Sequence, residues 1–175
     1  MTFHEMERRD RLRILIVEDD AIRESLLSSW LSSDIRPVVA SSAGRAIGVL
    51  RLDSVSVYCG VILDHDLQQR VGTEMDAFLS GQDVANAIIQ HLSRKAPVLI
   101  HSMNSSQSPV LVQLLRRAGF DVTQIPMGEL SREKFCEWIE GVSASCQRRL
   151  TMADPVRCGG QCGFLRRELR RKVHD

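Results

Sequence analysis

Apolar residues fall along this chain in two rhythms. Leu12–Val17, Val57–Leu63 and Pro97–Ile100 are nearly continuous apolar runs. They lack the alternation of a half-solvated strand and read as buried strands of a parallel sheet. Arg36–Ala40 and about Asp121–Ile125 read as two further strands. The first of these belongs at a sheet edge, because Pro37 lies in it and cannot donate to a central ladder. Between the strands the apolar spacing is helical. Ile22, Leu26, Leu27 and Trp30 recur over Ala21–Leu31, and Ala46, Ile47, Val49 and Leu50 over Ala43–Leu52. Val84, Ala85, Ile88, Ile89 and Leu92 follow over Gln82–Ser93. Val110–Ala118 forms a fourth helix, and Phe135, Trp138 and Ile139 mark a fifth, from Ser131 to about Val142. Asp20, and Ser41 or Ser42, fit helix N-caps. Pro109 fits a first helical turn and Gly119 a C-cap.

Strand and helix alternate five times, which predicts an α/β fold: a doubly wound, five-stranded parallel sheet followed by a short basic C-terminal tail. Right-handed crossovers and one switch point favour the strand order 2-1-3-4-5. Strands one, three and four are then neighbours. Their carboxyl ends carry Glu18-Asp19-Asp20, Asp64-His65-Asp66 and His101-Ser102-Met103-Asn104. In open sheets of this kind those ends face the ligand crevice, so the three polar ends converge on one acidic pocket. Residues 68–80 have no clear period and read as a long loop at its mouth. The organisation expected is a charged lead-in over 1–11, the sheet domain over 12–143 and the tail over 144–175.

Composition narrows this picture. The chain has 175 residues, 43% of them hydrophobic, enough for one domain with a proper core. The formal net charge of +1 gives no global argument for nucleic acid or membrane. Residues 147–175, however, hold eight Arg or Lys against three acids. Salt-dependent RNA contact would suit such a tail, although a solvated tail is the simpler expectation. No run approaches 18 apolar residues, and Met1–Arg11 has no hydrophobic signal core, so no membrane span is expected and a cytoplasmic location is. Five cysteines at irregular spacing argue for reduced thiols. Cys158 and Cys162, even with His174, lack a fourth zinc ligand. Residues 144–175 are too few and too irregular for a DNA-binding domain of the winged-helix type.

The residues of the first, third and fourth strands resemble a response-regulator receiver domain. Ile14-Leu15-Ile16-Val17-Glu18-Asp19-Asp20 is similar to that family's first strand and acidic pair. Asp64 falls at its phospho-accepting aspartate, and Pro97-Val98-Leu99-Ile100-His101-Ser102 is similar to its fourth strand, with Ser102 at the Ser/Thr position. The likeness spans about residues 12–142. It departs at Ile125, before Pro126, where the family has a lysine that contacts the phosphoryl group. That departure counts against ordinary phospho-switching. It departs again in His65 and His101. Leu63-Asp64-His65-Asp66-Leu67 and Ile100-His101-Ser102-Met103-Asn104 together resemble the cyclic-phosphate processing receiver domain, a subgroup associated with RNA repair and cyclic phosphate ends.

The chemistry expected follows from the donor set. Glu18, Asp19 and Asp64 are hard oxygen donors suited to Mg²⁺ (or Mn²⁺), and a cation also relieves the crowding of like charges. As a receiver, the chain would use Asp64 as a nucleophile, with Ser102 and backbone N–H groups on the phosphoryl oxygens. As a member of the subgroup it would be a metal-dependent cyclic phosphodiesterase. His65 and His101 would then share the base and acid roles in opening a 2′,3′-cyclic phosphate, and Ser102 or Asn104 would orient an oxygen. Strand alternation cautions that His65 faces away from Asp64. Asp66 is read as a metal ligand, a partner of His65 or a turn cap, and Glu74 and Asp76 as solvated loop charges. The partner is accordingly an RNA end or nucleotide in the cyclic-phosphate reading, which is the main one. It is a histidine kinase in the signalling alternative, or a protein target if the domain is a degenerate interaction module.

Overall fold

The computed structural model describes residues 12–53, 55–67, 76, 78–102 and 108–153. The lead-in 1–11, Glu74, Asn104 and the tail residues Cys158, Cys162 and His174 lie outside the described residues. The chain divides into two units, Met1–Ser143 and Ala144–Asp175. The described part of the second, residues 144–153, is helical.

The five strands are β1 (Leu12–Val17), β2 (Ile35–Ala40), β3 (Gly60–Asp64), β4 (Val98–His101) and β5 (Val122–Gln124). The helices are α1 (Ala21–Ser29), α2 (Ala43–Leu52), α3 (Gly81–His91), α4 (Ser108–Arg117) and α5 (Arg132–Ala153). All strand pairs are parallel and the order is β2-β1-β3-β4-β5, as expected from the alternation. Pro37 lies in the edge strand β2, where its missing N–H breaks no central ladder. Asp20 caps α1, accepting from the Ile22 and Arg23 amides at 2.8 and 3.1 Å. Ser42 caps α2 through the Arg45 amide. Gly119 ends α4 at φ 90°, a conformation glycine adopts without penalty.

Alternation along the strands divides the core. Leu15, Val17, Val61, Leu63, Val98 and Ile100 form one buried cluster with Ala46 and Leu50 of α2, Val84 and Ile88 of α3, and Leu111 and Leu115 of α4. Residues of the other parity, Ile14, Ile16, Ile62 and Leu99, are equally buried. On that face Trp138 and Val142 of α5 close over Gly60, and Trp30 meets Phe135 edge-on at 5.5 Å.

Several boundaries differ from expectation. β3 starts at Gly60 rather than Val57, although Tyr58 and Cys59 before it are buried. α5 runs to Ala153, past the expected end near Val142. Of the apolar positions expected to line α1, Leu27 is fully buried while Ile22 is 80% exposed. Cys59 is disulfide-bonded, which corrects the expectation of wholly reduced thiols; Cys136 is free. Asp76, expected as a solvated loop charge, is buried: its carboxylate accepts from the Ser42 hydroxyl at 2.8 Å and the Gly44 amide at 2.6 Å. Among the described residues no helix is long and apolar enough to cross a membrane.

Candidate functional site

Sheet register builds the site. Val17 pairs with Leu63, and Asp64 pairs with His101. Glu18, one step beyond Val17, therefore lies in the same row as Asp64 and His101, across three adjacent strands. Their parity is that of Ile16, Ile62 and Leu99, the face covered by α1 and α5. Ile100 pairs with Gln124, so Ile125 ends the row beyond His101. Glu18, Asp64 and His101 are all within 2% of complete burial. A ligand atom from each lies within 4.8 Å of the others.

Three buried acids, Glu18, Asp19 and Asp64, cannot stand together uncompensated, because unpaired buried charge is costly. The compensation comes from Arg23, in the first turn of α1. Its Nη2 lies 2.7 Å from Glu18 Oε1, 2.6 Å from Asp64 Oδ2 and 3.6 Å from Asp19 Oδ1. Its Nε donates to Glu18 Oε1 at 3.1 Å. The hydrogen bond to Glu18 is the main reason that the guanidinium is held still more firmly in its charged form than usual. Arg23 was not among the residues expected at the site. Its signal was there, since it falls in the first turn of the helix that starts directly after Glu18-Asp19-Asp20.

Asp64 also accepts the Asp66 amide at 3.1 Å. Burial, with the Glu18 charge as the next cause, pushes its carboxyl up to about 7 against the opposing pull of Asp66 N–H and Arg23. His101 moves the other way: burial lowers it to about 4, so the ring is neutral at pH 7. Its Nε2 faces Glu18 Oε2 at 3.6 Å, beyond hydrogen-bond reach. Neither atom has a hydrogen-bond partner. A buried polar atom left unpaired costs about 1–3 kcal/mol, so two such atoms face to face ask for a ligand.

The other polar ends gather elsewhere. Asp66 accepts the Ser102 hydroxyl at 3.0 Å through Oδ2, and its Oδ1 lies 2.9 Å from His65 Nδ1. The backbone joins the two strand ends, with the His65 amide donating to the His101 carbonyl at 3.2 Å. The site thus has two parts. Glu18, Asp19, Asp64, His101 and Arg23 form one; His65, Asp66 and Ser102 form the other. Of the three readings given to Asp66, it is the partner of His65, and it holds Ser102 as well.

These donors bear on a metal. The receiver resemblance implies an oxygen-binding divalent ion. Glu18 and Asp64 supply oxygens, but Arg23 already engages one oxygen of each, and the remaining buried donor is an imidazole nitrogen. The set fits a divalent ion that accepts mixed nitrogen and oxygen ligands. It fits less well an ion confined to oxygen, such as Mg²⁺.

No family model matches the sequence, and no curated protein is similar to it. Solved structures are similar in fold. A signal receiver domain from Vibrio parahaemolyticus superposes with a TM-score of 0.60 at 19% identity, covering 81% of this chain and 97% of that one. The response regulator domain of Thermotoga maritima CheB gives 0.55 at 18%, covering 78% and 97%. The receiver domain of a sensor histidine kinase from Pseudomonas aeruginosa PAO1 gives 0.53 at 16%, covering 78% and 98%; that structure has a magnesium ion coordinated in its active site cleft. At these identities the likeness is one of architecture: the chain has the receiver fold, with a buried acid–histidine cluster at the carboxyl ends of its central strands.

Proposed function

We propose that the protein is a phosphoryl-accepting receiver module, in which Asp64 takes a phosphoryl group from a histidine kinase or a small phosphodonor. The observation that carries this is the position of Asp64. Its carboxylate ends the central strand of a receiver fold, beside the acids of β1 and next to the polar end of β4. In the reaction an Asp64 oxygen attacks phosphorus, a new P–O bond forms, and the bond to the donor breaks with its electron pair leaving on the donor. A divalent ion held by Glu18 and Asp64 in place of Arg23 would neutralise phosphoryl charge. The chain's own cation is Arg23, already 2.6 Å from Asp64 Oδ2 and placed to follow charge onto a phosphoryl oxygen. It supplies from α1 the positive charge that Ile125 cannot supply from the end of β5. The Ser102 hydroxyl, now donating to Asp66, is the neutral donor closest in chain order to His101.

The cyclic-phosphate reading needs His65 and His101 to share one scissile bond. His101 Nε2 is directed at Glu18 and His65 Nδ1 at Asp66, so the signalling reading is the better supported. One experiment separates them. The full chain is incubated with acetyl phosphate and, in parallel, with a nucleoside 2′,3′-cyclic phosphate. An acid-labile phosphoprotein that disappears in Asp64→Asn is expected. Ring opening lost in both Asp64→Asn and His101→Gln, without a phosphoprotein, would replace the signalling function with hydrolysis.

A further inference from the structure

We propose that Glu18, Asp64 and His101 form a mixed carboxylate–imidazole site for a divalent transition ion, of the iron-to-zinc series, and that Arg23 is the built-in cation such an ion displaces. The inference shares Asp64 with the phosphoryl-accepting reading but requires no phosphoryl transfer, so it stands or falls separately.

Three observations carry it. First, Glu18 Oε2 and His101 Nε2 are buried, without hydrogen-bond partners, and aimed at each other across 3.6 Å. That gap is too long for a hydrogen bond. It is close to the separation of two donors that share one ion at ~2.1 Å each. Second, all three side chains are carried by adjacent parallel strands in one row, so the sheet itself fixes the donors. The Asp64 carboxylate is held further by the Asp66 amide. A donor set that needs little rearrangement binds without much ordering cost. Third, the imidazole decides the class of ion. Mg²⁺ and Ca²⁺ take oxygen ligands, whereas imidazole suits zinc, iron, nickel and copper.

Arg23 makes the site conditional. Its guanidinium occupies Glu18 Oε1 and Asp64 Oδ2, the second oxygens of two of the three ligands. A divalent ion brought to the same carboxylates meets a positive charge a few ångströms away, and repulsion between the two penalises their joint occupancy. Arg23 is also the least buried member of the cluster, with 16% of its side chain exposed, so it can turn out to solvent from the first turn of α1. The metal and the arginine are alternative counter-charges for one set of acids.

The test uses the full chain stripped with a chelator and titrated by calorimetry with Zn²⁺, Co²⁺ and Mg²⁺; the visible absorption of Co²⁺ reports ligand type. One equivalent of Zn²⁺ or Co²⁺ is expected to bind, with Mg²⁺ weaker by about 100-fold, since it gains nothing from the imidazole. His101→Gln is expected to weaken Zn²⁺ by about 10- to 100-fold and to shift the Co²⁺ bands, while leaving Mg²⁺ nearly unchanged. Arg23→Gln is expected to bind both ions about 10-fold more tightly, and Arg23→Lys, which keeps the charge, to resemble the parent. Circular dichroism of each variant confirms folding. Zn²⁺ binding equal in the parent and His101→Gln places the ion elsewhere on the chain, for example on its cysteines, and overturns the site. Arg23→Gln binding no tighter than Arg23→Lys overturns the competition. Loss of phosphoprotein with metal binding intact would remove the signalling reading alone.

Discussion

Asp64 and Asp66 stand two residues apart at the end of one strand, and the chain uses them in opposite ways. Asp64 is buried in the row with Glu18 and His101, and its carboxyl is pushed up to about 7. Asp66 keeps 40% of its side chain exposed and is engaged by a hydroxyl and an imidazole. One turns to the covered face, where charge is expensive and each oxygen must be compensated. The other turns to the rim, where water shares the work. The difference shows how a strand end makes two chemistries from one residue type: burial sets the reactivity of the first, and hydrogen bonding sets the geometry around the second.

The comparison is broken most directly through its counter-charges. Arg23→Ala strips the buried acids of their cation and should cost about 3 kcal/mol or more of unfolding free energy, because it leaves charge uncompensated rather than merely deleting a bond. Asp66→Ala should cost about 1 kcal/mol, the worth of ordinary hydrogen bonds at a half-exposed place. Urea denaturation of the two variants in metal-free buffer compares them, and equal losses would erase the distinction.

Acidity sharpens it further. The folded Asp64 carboxyl, at about 7 against 3.8 in model compounds, holds a proton that the unfolded chain has released. Its contribution to stability therefore falls as pH rises from about 4 to 7. The folded His101 ring, at about 4 against 6.5, has lost a proton that the unfolded chain keeps, so its contribution rises over nearly the same window. The two slopes oppose each other. With chelator present, Asp64→Asn should become more stable from pH 4 to 6.5, and His101→Gln less stable from pH 4 to 7, on either side of a flatter parent. Parallel profiles in all three proteins would mean that the paired burial of these groups has no thermodynamic consequence.

A local effect is expected away from the pocket. A Cβ at Gly44 would collide with Asp76 Oδ1, so Gly44→Ala must push that carboxylate off the start of α2. A loss of about 1–2 kcal/mol in thermal or urea unfolding is expected, with phosphoprotein formation unchanged. A variant as stable as the parent would show that the Asp76 carboxylate adds little to the start of α2.

Much of this was legible in the sequence because the strands announce themselves. Residues 14–17 and 98–100 are apolar without a break, since both faces of a central strand are covered, and they end abruptly in acids or histidine. Once the order 2-1-3-4-5 followed, Glu18, Asp19, Asp64 and His101 had to converge. The helix faces were harder to read. An apolar period locates a helix but fixes its rotation only to within a residue or so. Ile22 was therefore placed inside and is outside, while Arg23, one residue on, reaches the pocket. The likeness of their motifs to the family's groups His65 and Ser102 with the row of Asp64 and His101. Strand parity separates them from it, and Asp66 collects both. Asp76 was beyond reach for another reason: a lone acid in a loop without period gives no clue that a glycine amide 32 positions earlier awaits it.

One guanidinium serves a carboxylate five positions before it and another 41 positions after it, and this has an evolutionary consequence. Positions 18, 23 and 64 share one charge balance. A chain of this lineage that exchanged Arg23 for a neutral residue would carry surplus negative charge in its core until an acid was also lost or an ion was taken up. Substitution there is expected in concert, and double mutants of these positions should be markedly non-additive. Descent would thus pass between two forms of the same pocket, one self-neutralised and one dependent on its supply of metal.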